Sequence, residues 1–165
     1  MQTQTILSSD ETNALIVTYR QLENDEFHFY GWPSVVKSLL DALWVEGLHP
    51  KEYFRRLSEK ASNRESRFLY SRRPPEWLVG LADEFINSVS GIDKKLQGRV
   101  MEAITKITRG PTTIVGDTMK PLSKNLSGLW RYRIGDYRLV YQPDVENKRI
   151  LLLSFGSRGG IYESH

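Results

Sequence analysis

The chain of 165 residues contains no cysteine. Disulfides, zinc–thiolate sites and thiol nucleophiles are thereby excluded. Its three histidines, His28, His49 and His165, stand far apart, and none has a metal-ligand spacing. No acidic cluster suggests a carboxylate metal site, so neither a metal nor another cofactor is expected. No apolar run is long enough to span a membrane. The opening MQTQTILSSDETNALIV lacks the charged start and apolar core of a secretion signal. These absences predict a soluble, cytoplasmic protein with no membrane partner. Internal repeats and low-complexity segments are missing as well.

What is present suffices for a core. Hydrophobic residues make up 39% of the chain and four tryptophans are among them. The length suits one domain, or one domain with an appended subdomain. The net charge of +3 is unevenly spread: residues 1–65 carry 7 basic and 10 acidic side chains, and residues 91–165 carry 13 and 7. The basic C-terminal part is compatible with a polyanionic partner, although many small proteins have one mildly basic half.

Residues 1–65 read as helical. Asp10 is placed to cap a helix with Leu15, Ile16, Tyr19 and Leu22 on one side. Pro33 opens a second helix with Val35, Val36, Leu39, Leu40, Leu43 and Trp44 on one stripe, and Gly47 suits its end. Pro50 opens a third, with Tyr53, Phe54 and Leu57 inward. A helix-turn-helix is one reading of the last two, but plain hairpin packing and the acidic balance of this region argue against DNA. Ser66–Arg72 alternates like a strand. EWLVGLADEFINSV and GIDKKLQGRVMEAITKI read as two helices, the second with Lys94, Lys95, Arg99 and Lys106 on its outer face. A loop carrying Lys120 and Lys124 follows. The apolar run Ile150–Leu153 suits a central strand.

The segment LWRYRIGDYRLVY, residues 129–141, is the most informative. Glycine first in the two-residue loop Gly135-Asp136 suits a type II′ turn. That turn sets Ile134 opposite Tyr137, Arg133 opposite Arg138, Tyr132 opposite Leu139, Arg131 opposite Val140 and Trp130 opposite Tyr141. Trp130, Tyr132, Ile134, Tyr137, Leu139 and Tyr141 then form a core face. Arg131, Arg133 and Arg138 share the other face with Val140. Like charges placed opposite one another destabilise a sheet. Either carboxylates from elsewhere neutralise the arginines, or solvent screens them, or the face awaits an anion, whose oxygens a guanidinium matches in a bidentate way. Downstream, FGSRGGIYES offers Arg158 at a strand end and then Tyr162. Tyrosine in such a place stacks on a base, transfers a proton, or anchors a tail.

Residues from about 66 to 163, through GLWRYRIGDYRLVYQ and ILLLSFGSRGGIY placed after a strand and two helices, resemble the RelE/ParE superfamily of bacterial toxins from toxin–antitoxin operons. The resemblance implies an α+β fold, a mostly antiparallel sheet packed by two helices, here preceded by an extra all-helical N-terminal region. It implies two parts, a helical extension at 1–65 and a RelE-like toxin domain at 66–165. The RelE branch implies a metal-independent endoribonuclease that cuts mRNA on the ribosome, by attack of the nucleotide's own 2′-hydroxyl on the adjacent phosphate. A separate antitoxin protein is the implied partner. Carried over by position, Arg131 and Arg133 fall where the best-known members have lysines, and Arg138 falls on the arginine of the family's YR dipeptide. Arg158 and Tyr162 match the arginine and tyrosine after the last long strand. Tyr162 is then the candidate base, and Arg158 and Arg138 bind phosphate and stabilise its developing charge. Arg133 and Arg131 orient the backbone, with Lys120 and Lys124 as further phosphate-binding candidates. The alternatives are a ParE-like, non-catalytic inhibitor of DNA gyrase and a non-catalytic binding module of the same fold.

Overall fold

A computed structural model of the chain describes residues 17–21, 26–53 and 77–157. Among these residues seven strands form one mixed sheet: β1 (Val17–Gln21), β2 (Glu26–Gly31), β3 (Leu78–Leu81), β4 (Met119–Pro121), β5 (Trp130–Ile134), β6 (Tyr137–Asp144) and β7 (Arg149–Ser157). Their order across the sheet is β1-β2-β3-β7-β6-β5-β4. Only β3 and β7 run parallel; every other neighbouring pair is antiparallel. The helices are α1 (Pro33–Asp41), α2 (Asp83–Val89) and α3 (Lys94–Arg109). The fold is α+β, as expected.

Local chemistry explains most of the boundaries. Pro33 occupies the first turn of α1, where its missing N–H is no loss. A single π turn, Ala42–Glu46, continues the helix, and Gly47 ends it at a φ of 72°. Asp93 caps α3: its Oδ1 accepts from the Leu96 N–H at 2.8 Å. Val100, Ala103, Ile104 and Ile107 of α3 are buried together with Phe85, Ile86 and Val89 of α2. They share one core with Val35, Val36, Leu39 and Leu40 of α1 and with Tyr132, Ile134, Leu139, Tyr141, Ile150, Leu152 and Phe155 of the sheet. Burial of each large apolar side chain there is worth roughly 1.5–3 kcal/mol.

The structure corrects three expectations of secondary structure, the first being the loop at Lys120, where Met119–Pro121 is strand β4. Residues 1–65 are not all helical, because Val17–Gln21 and Glu26–Gly31 form a strand hairpin. VTYRQ and EFHFYG are rich in β-branched and aromatic residues, and β3 offers β2 an open edge to pair with. The helix expected over EWLVGLADEFINSV starts only at Asp83; Leu78–Leu81 is a strand. Leu78 and Leu81 fit a helical stripe, but all four residues of β3 are buried. Between two partner strands a short, two-sidedly buried apolar run is satisfied by sheet pairing, and periodicity cannot separate the two cases. The strand expected at Ser66–Arg72, the helix start at Asp10, and Phe54 and Leu57 lie outside the described residues. Pro50 does begin a helical segment, helical as far as Tyr53.

The N-terminal segment is tied to the remainder by more than the sheet. Trp44 Nε1 donates to the Val89 carbonyl at 2.8 Å, and Lys51 Nζ pairs with Asp83 at 2.9 Å.

Candidate functional site

Strands β5 and β6 form the expected hairpin with the expected register, from Trp130 opposite Tyr141 to Ile134 opposite Tyr137. Gly135 has a φ of 62°, whereas Asp136 is not at positive φ, as a type II′ turn requires. The core face is buried at Tyr132, Ile134, Leu139 and Tyr141. Tyr137 departs from expectation: it is 37% exposed and stacks on Phe155, with ring centroids 5.2 Å apart. It lies at the turn end of the hairpin.

On the opposite face the three arginines differ from one another. Arg131 and Arg138 are each only 6% exposed, whereas Arg133 is exposed. Of the three explanations for their proximity, neutralisation by a carboxylate holds for two of them. The carboxylate is Asp117, in the loop before β4. Its Oδ1 accepts from Arg131 Nη2 at 3.0 Å and from Lys120 Nζ at 3.0 Å. Its Oδ2 accepts from Arg133 Nη1 at 2.6 Å. Arg131 Nη1 also donates to the Asp117 backbone carbonyl at 2.8 Å. Lys120, and after it Arg133 and Arg131, hold the Asp117 carboxyl down to about 2.

Pairing of β4 with β5 builds this cluster. Lys120 stands opposite Arg131 and Met119 opposite Tyr132, and the Arg133 N–H donates to the Thr118 carbonyl at 2.8 Å. The chain just before β4 therefore lies beside the arginine face. Asp117 is 14 residues from Arg131 in sequence, and no local pattern announces the contact; the strand register alone reveals it.

Arg138 is held differently. Its Nη1 donates to the carbonyls of Gly135, at 3.2 Å, and Tyr137, at 3.1 Å. Among the described residues no carboxylate pairs with it. Arg133 Nε also donates to the Gly135 carbonyl, at 3.3 Å. The two cross-strand arginines thus share one acceptor at the turn, which offsets part of their repulsion. Arg99 of α3 brings a third guanidinium there: a Cβ built on Gly135 would stand 3.5 Å from its Nη1. Arg99 reads in the sequence as part of a solvated helix face, and only the packing of α3 against the hairpin places it here.

Lys120, Arg131 and Arg133 therefore converge on one point, and Arg133 and Arg138 on another. Lys124 is exposed in a short 3-10 turn, at a φ of 59°, outside both clusters. Arg158 and Tyr162 lie outside the described residues. The last residues of β7 pair with the hairpin beside its turn, Gly156 with Arg138 and Ser157 with Tyr137. Among the described residues no group of three or more metal-ligating side chains could hold a metal ion, and no helix is long and apolar enough to cross a membrane. The arrangement offers guanidinium and ammonium donors on one sheet face, next to the strand end that leads to Arg158.

Residues 81–162 match the family described as the ParE toxin of the type II toxin–antitoxin system, parDE. Among solved structures, the toxin–antitoxin complex RelBE2 from Mycobacterium tuberculosis is similar at 26% identity over 52% of this chain and 100% of that one, with a TM-score of 0.44. A YoeB/ParE toxin from Agrobacterium tumefaciens is similar at 21% identity over 40% and 77%, with a TM-score of 0.36. The intact E. coli RelBE complex is similar at 12% identity over 47% and 92%, with a TM-score of 0.40. No curated protein matches the chain.

Proposed function

We propose, from the match of residues 81–162 to the ParE toxin family, that the chain is a toxin of the RelE/ParE superfamily and a RelE-type endoribonuclease that cuts mRNA on the ribosome. The observation that carries this reading is the hairpin face on which Lys120, Arg131, Arg133 and Arg138 gather. Guanidinium groups bind phosphate oxygens in pairs, and RNA backbone is the polyanion such a face fits. In this reading Tyr162 takes the proton of the 2′-hydroxyl, which attacks the adjacent phosphorus. The P–O5′ bond breaks and the departing 5′-oxygen takes a proton from solvent, leaving a 2′,3′-cyclic phosphate and a 5′-hydroxyl. Arg138 and Arg158 stabilise the charge that develops on the phosphate. Arg131 and Arg133 position the backbone. The buried Arg138, fixed by two carbonyls and without a carboxylate partner among the described residues, is pre-organised for that role. Residues 66–165 carry the toxin, residues 1–65 serve as scaffold, and a cognate antitoxin protein is the partner, as in the RelBE complexes.

The match to the ParE family supports a second reading, a non-catalytic inhibitor of DNA gyrase. Induction in bacteria with mapping of RNA ends separates the two. Codon-phased cuts within translated messages are expected; a DNA-damage response without such cuts would overturn the ribonuclease reading. Arg138→Ala is expected to slow cleavage by about 10²-fold, the usual loss for one donor to a developing oxyanion. Arg158→Ala and Tyr162→Phe are each expected to abolish toxicity. Unchanged toxicity in both would refute the site assignment.

A further inference from the structure

The Asp117 cluster has a construction that plain charge neutralisation does not require. Each arginine in it has two kinds of hydrogen bond. Arg131 is anchored through Nη1 to the Asp117 backbone carbonyl, and separately meets the carboxylate through Nη2. Arg133 is anchored through Nε to the Gly135 carbonyl, and separately meets the carboxylate through Nη1. Removing the carboxylate alone would leave both guanidinium groups held by backbone, with one donor edge of each turned toward the vacated point. Lys120 approaches the same oxygen as Arg131.

Three cations against one carboxylate leave an excess of positive charge. The Asp117 side chain is 60% exposed, so an anion from solvent can reach this point without opening the core. Exposed ion pairs contribute little net stability, so a ligand that makes further contacts beyond this seat can displace the carboxylate. Asp117 follows Gly116, which is at a φ of 48°, and the carboxylate is joined to the backbone by a single methylene, so it can swing away while its carbonyl stays docked on Arg131. Carboxylate and phosphate present their oxygens to a guanidinium in the same bidentate manner.

We propose that Asp117 is a built-in stand-in for phosphate: its carboxylate fills a seat made by Lys120, Arg131 and Arg133, and an RNA phosphodiester takes that seat by displacing it. The inference rests on the RNA reading above. It makes Asp117 a filter. A lone small anion gains too little to evict a carboxylate held by three cations, whereas a polynucleotide that also engages Arg138 gains enough.

The test measures binding of full-length protein to a fluorescently labelled single-stranded RNA with 2′-O-methyl sugars, which cannot be cleaved, over a range of salt. Asp117→Asn and Asp117→Ser are each expected to bind about 5- to 10-fold tighter than wild type at low salt, with a log–log salt slope steeper by about 0.7 per extra phosphate engaged. Asp117→Glu, which keeps the charge, is expected to bind like wild type. Equal or weaker binding by both neutral variants overturns the proposal. So does failure of both to fold, because Asp117 would then be a structural clamp. Arg133→Ala in the same assay separates this inference from its premise. If Arg133→Ala leaves RNA binding unchanged, the RNA face itself is misassigned. If it weakens binding while the neutral Asp117 variants do not tighten it, only the role of Asp117 fails.

Discussion

Tyr141 and Arg138, three residues apart on β6, show how burial decides what a polar side chain does. Tyr141 is fully buried, and its hydroxyl donates to the Pro111 carbonyl at 2.8 Å. Burial pushes its phenol well above the ordinary range, so this tyrosine is a structural donor and not a base. Tyr141→Phe leaves the Pro111 carbonyl unpaired and is expected to destabilise the fold by about 1–2 kcal/mol in urea denaturation. Arg138 is nearly as enclosed, and its guanidinium is held at the turn by the Gly135 and Tyr137 carbonyls. Asp117 carries the pH behaviour of the site. Its folded-state pKa is depressed from 3.8 to about 2. Its contribution to stability is therefore complete above about pH 4 and is lost as pH falls through about 2. Direct titration of its carboxyl carbon by NMR is expected to give a midpoint near 2; a midpoint at 3.8 would mean that the three ion pairs do not form in solution.

At the scale of elements, the β5–β6 hairpin was the part most readily read from sequence. A two-residue turn beginning with glycine fixes both loop length and register, and every one of its five residue pairs follows from that. Gly135→Ala places a side chain at a φ of 62° beside the Arg99 guanidinium and is expected to cost about 1–2 kcal/mol, read as a lower urea midpoint with an unchanged slope. Helix α3 was equally legible, because its apolar stripe is long, although its cap, Asp93, emerged only with the structure. Asp93→Ala is expected to cost about 1 kcal/mol. Strands β1, β2 and β3 were not legible, because each is short and its residues suit either a helix or a strand. Their state is decided by which strand edge is free to pair. Asp117 escaped notice for a related reason: it meets the arginines only once β4 pairs with β5.

For the whole molecule, the segment ahead of the toxin-like part supplies sheet and core, not only a covering. Strand β2 pairs with β3, and Leu39 and Leu40 are fully buried in the same cluster as Leu139 and Leu152. Leu39→Ala is therefore expected to lower the stability of the entire chain by about 2–5 kcal/mol. Tryptophan fluorescence and far-UV circular dichroism should report it in one coincident transition. Two separate transitions would show that the N-terminal part folds independently. The sequence by itself determined the hairpin with its register and the crowding of arginines on one face, because turn geometry and side-chain alternation act over a few residues; the α+β class came from the family resemblance of its motifs. Tertiary structure alone decided that the N-terminal segment adds two strands, that Arg131 and Arg138 are enclosed while Arg133 is open, and that Asp117 sits among the cations. Those outcomes depend on which distant strand edges and loops meet, and neither composition nor periodicity records that.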